Sequence, residues 1–237
     1  MATRYLILTA LCFVLVAGCK SYSRYPIDTD PSVVIDTNLL GMWRCMEDTD
    51  KANFIEVEDF NDVHGSTEKE YGSMENYLAK WIKDWQDDST KGHTANAENY
   101  KSYIADLRWK IKGKKCLYYL TYFDNHGTNP HYEAWNAYLS LVNKTLFLNV
   151  LYGNQVTDIK REEGRLLVRI IKLTRDTAIT ATVADQTLKN LQSSKEVRNR
   201  VTAKLNDKHF YSDTTHFYRI RRFHGDFNIA TKLANPK

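Results

Sequence analysis

Apolar and polar residues alternate along most of this chain with the two-residue period of β-strands. Strands are predicted over Gly41–Met46, Asn53–Phe60, Leu107–Ile111, Cys116–Phe123, His131–Val142, Thr145–Tyr152, Leu166–Leu173, Ala178–Ala184 and His216–Arg222. They are rich in Tyr, Phe, Val, Ile and Thr and are punctuated by Gly, Asn and Asp. Asn143-Lys144 and the stretch Arg161-Glu162-Glu163-Gly164 read as hairpin turns. Several strands are apolar on both faces. In Cys116–Phe123 one face carries Leu117, Tyr119 and Phe123, and the other carries Tyr118, Leu120 and Tyr122. Such a strand suits the wall of a barrel, with contents inside and covering elements outside.

Three segments switch to the 3.6-residue period of a helix. From Ser73 to Asp87 the stripe is Met74, Tyr77, Leu78, Trp81, Ile82 and Trp85. A shorter helix follows Asn96, with Tyr100, Tyr103, Ile104 and Leu107 in line. The third, over 193–206, opens on Ser193-Ser194-Lys195-Glu196, where serine and glutamate can satisfy each other's backbone amides, and its stripe is Val197, Val201 and Leu205. Residues 20–37 hold two of the four prolines and little periodicity, so they read as an extended tether. The expected organisation is a leader over 1–18, a tether over 19–37, a mainly β domain over 38–224 and a loose tail over 225–237.

The leader carries its own signal. Tyr5 to Val16 is apolar apart from Thr9, follows Arg4, and is far shorter than the roughly twenty residues that span a bilayer. That suits the apolar region of a secretory signal. Val16-Ala17-Gly18-Cys19 resembles the lipobox of bacterial lipoproteins. The resemblance implies cleavage between Gly18 and Cys19, acylation of Cys19 with diacylglycerol and palmitate-type chains, and residence in the cell envelope. Lys20, where enterobacterial lipoproteins retained at the inner membrane carry aspartate, leans the expectation to the outer membrane. The expected partner is then the membrane, through the N-terminal lipid.

Export changes the reading of composition. The net charge of +4 is mild, and the basic clusters Lys112–Lys115 and Arg219–Arg222 are short. Nucleic acid is not an expected partner. Of four cysteines, Cys12 leaves with the leader and Cys19 takes the lipid, leaving Cys45 and Cys116. An oxidising compartment permits a bridge between them, although both lie in apolar runs where a thiol serves as a small core residue.

Gly41-x-Trp43 at the mouth of the first strand resembles the G-x-W signature of lipocalins. In that family the glycine lets a turn meet the strand, the tryptophan plugs the barrel base, and a late arginine packs across it. The order of strands, a helix near 193–206 and a last strand is also similar to a lipocalin. The resemblance implies a lipocalin-like antiparallel β-barrel over about residues 39–222, with Arg219 or Arg221 as the packing arginine. It departs from the family in the helical insertion at 73–107 and in the middle motif, for which Ser212-Asp213-Thr214 is a poor substitute. The run YEAWNAYLSLVNKTLFLNV (132–150) resembles bacterial lipocalin-like lipoproteins, and that likeness implies no activity.

Chemistry is sparse. The seven histidines form no HExxH pair. The loop Asp124–His131 gathers Asp124, His126 and His131, a composition zinc could use with a fourth ligand, but it reads as a polar hairpin loop with solvated histidines. No G-x-S-x-G elbow occurs. Glu56 and Glu58 alternate with Ile55 and Val57 as an outer strand face would. No cofactor, metal or catalytic residue is expected. The leading expectation is a non-enzymatic, lipid-anchored envelope protein holding a small apolar or amphipathic ligand, with Tyr119, Trp135, Tyr138 and Phe147 as candidate cavity residues. The alternatives are a structural or interaction lipoprotein with a filled barrel, and an envelope hydrolase.

Overall fold

A computed structural model of the chain describes residues 22–47, 53–90, 97–124, 131–151 and 165–221. Eight antiparallel strands are present: β1 (Gly41–Cys45), β2 (Phe54–Asp59), β3 (Leu117–Asp124), β4 (His131–Val142), β5 (Thr145–Leu151), β6 (Arg165–Leu173), β7 (Thr177–Val183) and β8 (Tyr211–Arg221). Each pairs with the next, and β8 returns to β1, so the sheet closes into the expected lipocalin-like barrel. Among the described residues closure leaves no edge strand to template aggregation. The β4–β5 hairpin turns on Asn143 and Lys144, both at positive φ (47° and 66°), a primed turn whose twist matches the strands it joins.

Between β2 and β3 runs a helical insertion of α1 (Phe60–Tyr71), α2 (Met74–Thr90) and α3 (Ala97–Gly113). Two expectations are corrected here. Leu107–Ile111 is not a strand but the last part of α3. Leu-Arg-Trp-Lys-Ile alternates like a strand, yet Leu107 and Ile111 extend the helical stripe of Ile104 and pack with Leu78 and Ile82. Helix α1, in turn, carries few apolar residues, so its periodicity is faint. It is fixed at its start by Asp59, whose carboxylate accepts from Asn61 N at 2.8 Å, and at its end by Gly72 in the left-handed region.

The fourth helix, α4 (Ser194–Ala203), lies between β7 and β8. Ser193 caps it by accepting from Glu196 N, while Glu196 reaches back to Gln192 N at 2.8 Å rather than to the cap's own amide. Val197 and Val201 bury against Phe147, Leu167, Val183 and Val142 on the outside of the sheet.

Residues 22–40 are irregular, as their composition predicts, but they are not a loose tether. Ser23 exchanges both backbone hydrogen bonds with Arg165 at the start of β6. Ile27, 1% exposed, donates its amide to Asn149 Oδ1 in β5 at 3.0 Å. Tyr138 in β4 donates its hydroxyl to Asp28 O, and Trp109 of α3 donates to Thr29 O. The amide of Asp36 then meets the Tyr118 hydroxyl at 2.6 Å. The segment is a strap that descends the outer wall across β6, β5, β4 and α3 before entering β1. The lipobox, the turn at 161–164, the Asn125–Pro130 part of the histidine loop and the tail lie outside the described residues.

Candidate ligand-binding barrel

Direct cross-strand partners share a face of a sheet, so register sorts inside from outside. Trp43 opposes Ile55, Ile55 opposes Tyr122, and the series continues through Leu120, Trp135, Ala137, Leu139, Leu148, Val168, Thr180 and Phe217. All of these except Tyr122 and Thr180 belong to one apolar cluster, which is the barrel interior. The inner face is mainly apolar over β2 to β6, with Asp124, His131 and Glu133 on the same register at the far ends of β3 and β4, while β7 and β8 add Thr180, Thr182 and Thr215.

One end is sealed. Gly41 has φ 128°, a backbone state that favours glycine, and it delivers Trp43 across the base. Trp43 is 4% exposed and donates its indole N–H to Leu39 O at 2.7 Å. The Arg219 guanidinium stacks 4.5 Å from the ring centroid and also donates to Asn38 O. Burial holds Arg219 below its usual pKa. Of the two arginines predicted for this role, Arg219 takes it. Arg221 pairs with Met42 on the other face. Val33, Ile35, Leu39 and Leu40 from the end of the strap complete the plug with buried Tyr118.

Burial falls toward the opposite end. Val57, Leu120, Ala137, Val150, Ile170 and Ala178 are buried. Ile55, Tyr122, Trp135, Leu166, Val168 and Phe217 are only half-buried, whereas on β5 the order reverses, with half-buried Leu148 on the base side of buried Val150. Tyr122 and Trp135 stack with centroids 6.4 Å apart and planes 17° apart. The barrel is therefore filled at its base and lined with accessible apolar and aromatic side chains towards its mouth. Such a lining, with a few hydroxyls on one wall, suits an apolar or amphipathic small molecule.

Of the four predicted cavity residues, Trp135 alone lies inside. Tyr119 faces outward, opposite Glu58. Tyr138 faces outward under the strap, edge-on to Trp109 at 5.8 Å, and Phe147 is sealed beneath α4. The physical reason is parity: on a strand apolar on both faces, neither face is marked as inner, and Tyr138 and Phe147 are large because they hold the barrel's cover in place. Cys45 and Cys116 are not bridged. Cys45 donates to Glu47 at 3.1 Å, and burial pushes the Cys116 thiol up.

Glu56 and Glu58 do sit on the outer face, but they are 8% and 3% exposed, so this is no solvated face. Burial, with repulsion from Glu56 and Asp62, pushes Glu58 up to about 7. Glu56 is also raised by burial. A different feature, an open groove of about 370 Å³ on the helical insertion, is lined by Thr67, Glu70, Tyr71, Tyr77, Lys80, Trp81 and Asp84. Neither is legible in the strand pattern, because both depend on how the insertion folds back. Among the described residues no three His, Cys, Asp or Glu side chains are grouped as metal ligands.

Compared with family models, curated proteins and solved structures, the chain finds no match.

Proposed function

We propose that this chain is a lipid-anchored protein of the cell envelope, most consistent with the outer membrane, that carries a small apolar or amphipathic molecule in its barrel without chemically transforming it. The observation that supports this reading is the gradient inside the barrel, from the sealed Trp43–Arg219 base to the half-buried Tyr122, Trp135 and Phe217. A structural barrel gains stability by filling its interior to native packing density, whereas a carrier retains accessible apolar lining. The lipobox at Val16–Cys19 supports attachment, since two or more acyl chains hold a protein durably at a bilayer.

The test is extraction of the purified protein into organic solvent, followed by titration of the emptied protein with an environment-sensitive apolar fluorophore. A bound lipid-like molecule and saturable fluorophore binding are expected. Trp135→Ala should weaken that binding about tenfold, the equivalent of about 1.4 kcal/mol. No extractable ligand together with no saturable binding removes the carrier reading. The anchor is tested separately by Cys19→Ala, which should abolish incorporation of labelled palmitate.

A further inference from the structure

The strap fixes where the chain leaves the barrel. Strands β1, β3, β5 and β7 start at the sealed end, so β6 starts at the mouth, and Arg165 is its first residue. Ser23 is hydrogen-bonded to Arg165 in both directions, at 2.9 and 2.8 Å. One residue earlier, Tyr22 lies near enough to Glu133 to feel its charge. Glu133 is on the inner-face register of β4, beyond the point where β5 ends at Leu151 opposite Asn136. The described chain therefore begins at the rim of the end opposite the Trp43 base.

Cys19 precedes Tyr22 by three residues, which span at most about 11 Å when fully extended. Strands of 5 to 12 residues, about eight on average, at about 3.3 Å per residue and tilted about 40°, stand roughly 20 Å high. The tether is thus shorter than the barrel. We propose that the docked strap holds the barrel mouth-down on the bilayer, so that the partner facing the open end is the lipid surface itself and an apolar ligand passes between membrane and barrel with little exposure to water. The proposal rests on acylation of Cys19. Were residues 20–37 free, the chain between lipid and barrel could extend about 60 Å and no orientation would follow.

The experiment uses the full lipidated chain, purified and reconstituted in vesicles of phosphatidylcholine and phosphatidylglycerol, in a Cys45→Ala/Cys116→Ala background. Nitroxide labels are placed singly at Met46→Cys or Asp213→Cys near the rim, and at Val34→Cys or Leu141→Cys at the sealed end. All four positions are exposed, and two at each end guard against one variant failing to fold. Relaxation by a nickel-chelating lipid should be several-fold stronger at the rim positions. A flexible Gly-Ser insertion after Ser21 should erase that difference. Equal relaxation at both ends, stronger relaxation at the sealed end, or a difference that survives the insertion overturns the orientation while leaving the anchor intact. Failure of the parent protein to float with vesicles removes the anchor and the orientation together.

Discussion

Glu58 gives a sharp test of the packing described for the outer wall. It is 3% exposed, faces Tyr119 across β3, and shares its surroundings with Glu56 on the same strand and Asp62 in α1. Its folded-state pKa is about 7, against an ordinary value of 4.5. Below 4.5 the group is protonated in both folded and unfolded chains and contributes no penalty. As pH rises from 4.5 to 7, the unfolded chain releases the proton while the folded chain keeps it, so stability is lost across that window and levels off above it. At 1.36 kcal/mol per pKa unit, the loss approaches about 3 kcal/mol at pH 8, or about 2 kcal/mol where the surroundings relax around the charge. Glu58→Gln keeps the shape and removes the titration. Urea unfolding of parent and variant at intervals from pH 4 to 8.5 should therefore show nearly equal stabilities at pH 4, a difference under about 1 kcal/mol at pH 5, and a variant more stable by about 2–3 kcal/mol at pH 8. Glu56→Gln removes a repelling neighbour and should move the parent's window to lower pH. A variant offset that is the same at pH 5 and pH 8, or a glutamine that destabilises at pH 8, refutes the claim that Glu58 is buried and raised.

Three further outcomes follow from single contacts. Arg219→Ala removes the cation over Trp43 and the donor to Asn38 O, and should cost about 2 kcal/mol in chemical denaturation, with a changed Trp43 fluorescence signal. Lys144→Gly relieves a non-glycine residue held at φ 66° in the β4–β5 turn and should stabilise the protein by about 1 kcal/mol, read as a raised Tm. Asn149→Ala strips fully buried partners from Ile27 N, Tyr138 O and Ser140 Oγ. It should cost about 3 kcal/mol and make the Ile27 amide exchange with solvent far faster than amides of the barrel core.

How far the sequence carries these conclusions depends on whether a feature is local. Strand alternation and the Asn143-Lys144 turn are local, and all eight strands were legible from them. The same rule misled at Leu107–Ile111, because five residues of L-R-W-K-I fit both periods and only the continuing stripe from Ile104 distinguishes them. Helix α1 was hidden for the opposite reason: its first residue, Phe60, is 1% exposed and packs with Leu117, Tyr138 and Leu151, but the rest of the helix offers little apolar pattern. The G-x-W glycine was legible in kind, and its φ of 128° explains the need for it. What could not be read was which face of a doubly apolar strand turns inward. That is decided by what covers the other face, and the cover here comes from far along the chain: the strap through Ile27, α4 through Val197 and Val201, and α1 through Phe60. Because the strap's contacts are with residues 80 or more positions away, its proline-bearing, aperiodic sequence resembles a linker. Those contacts make it part of the barrel wall, and an N-terminal lipid would therefore orient the barrel rather than merely retain it.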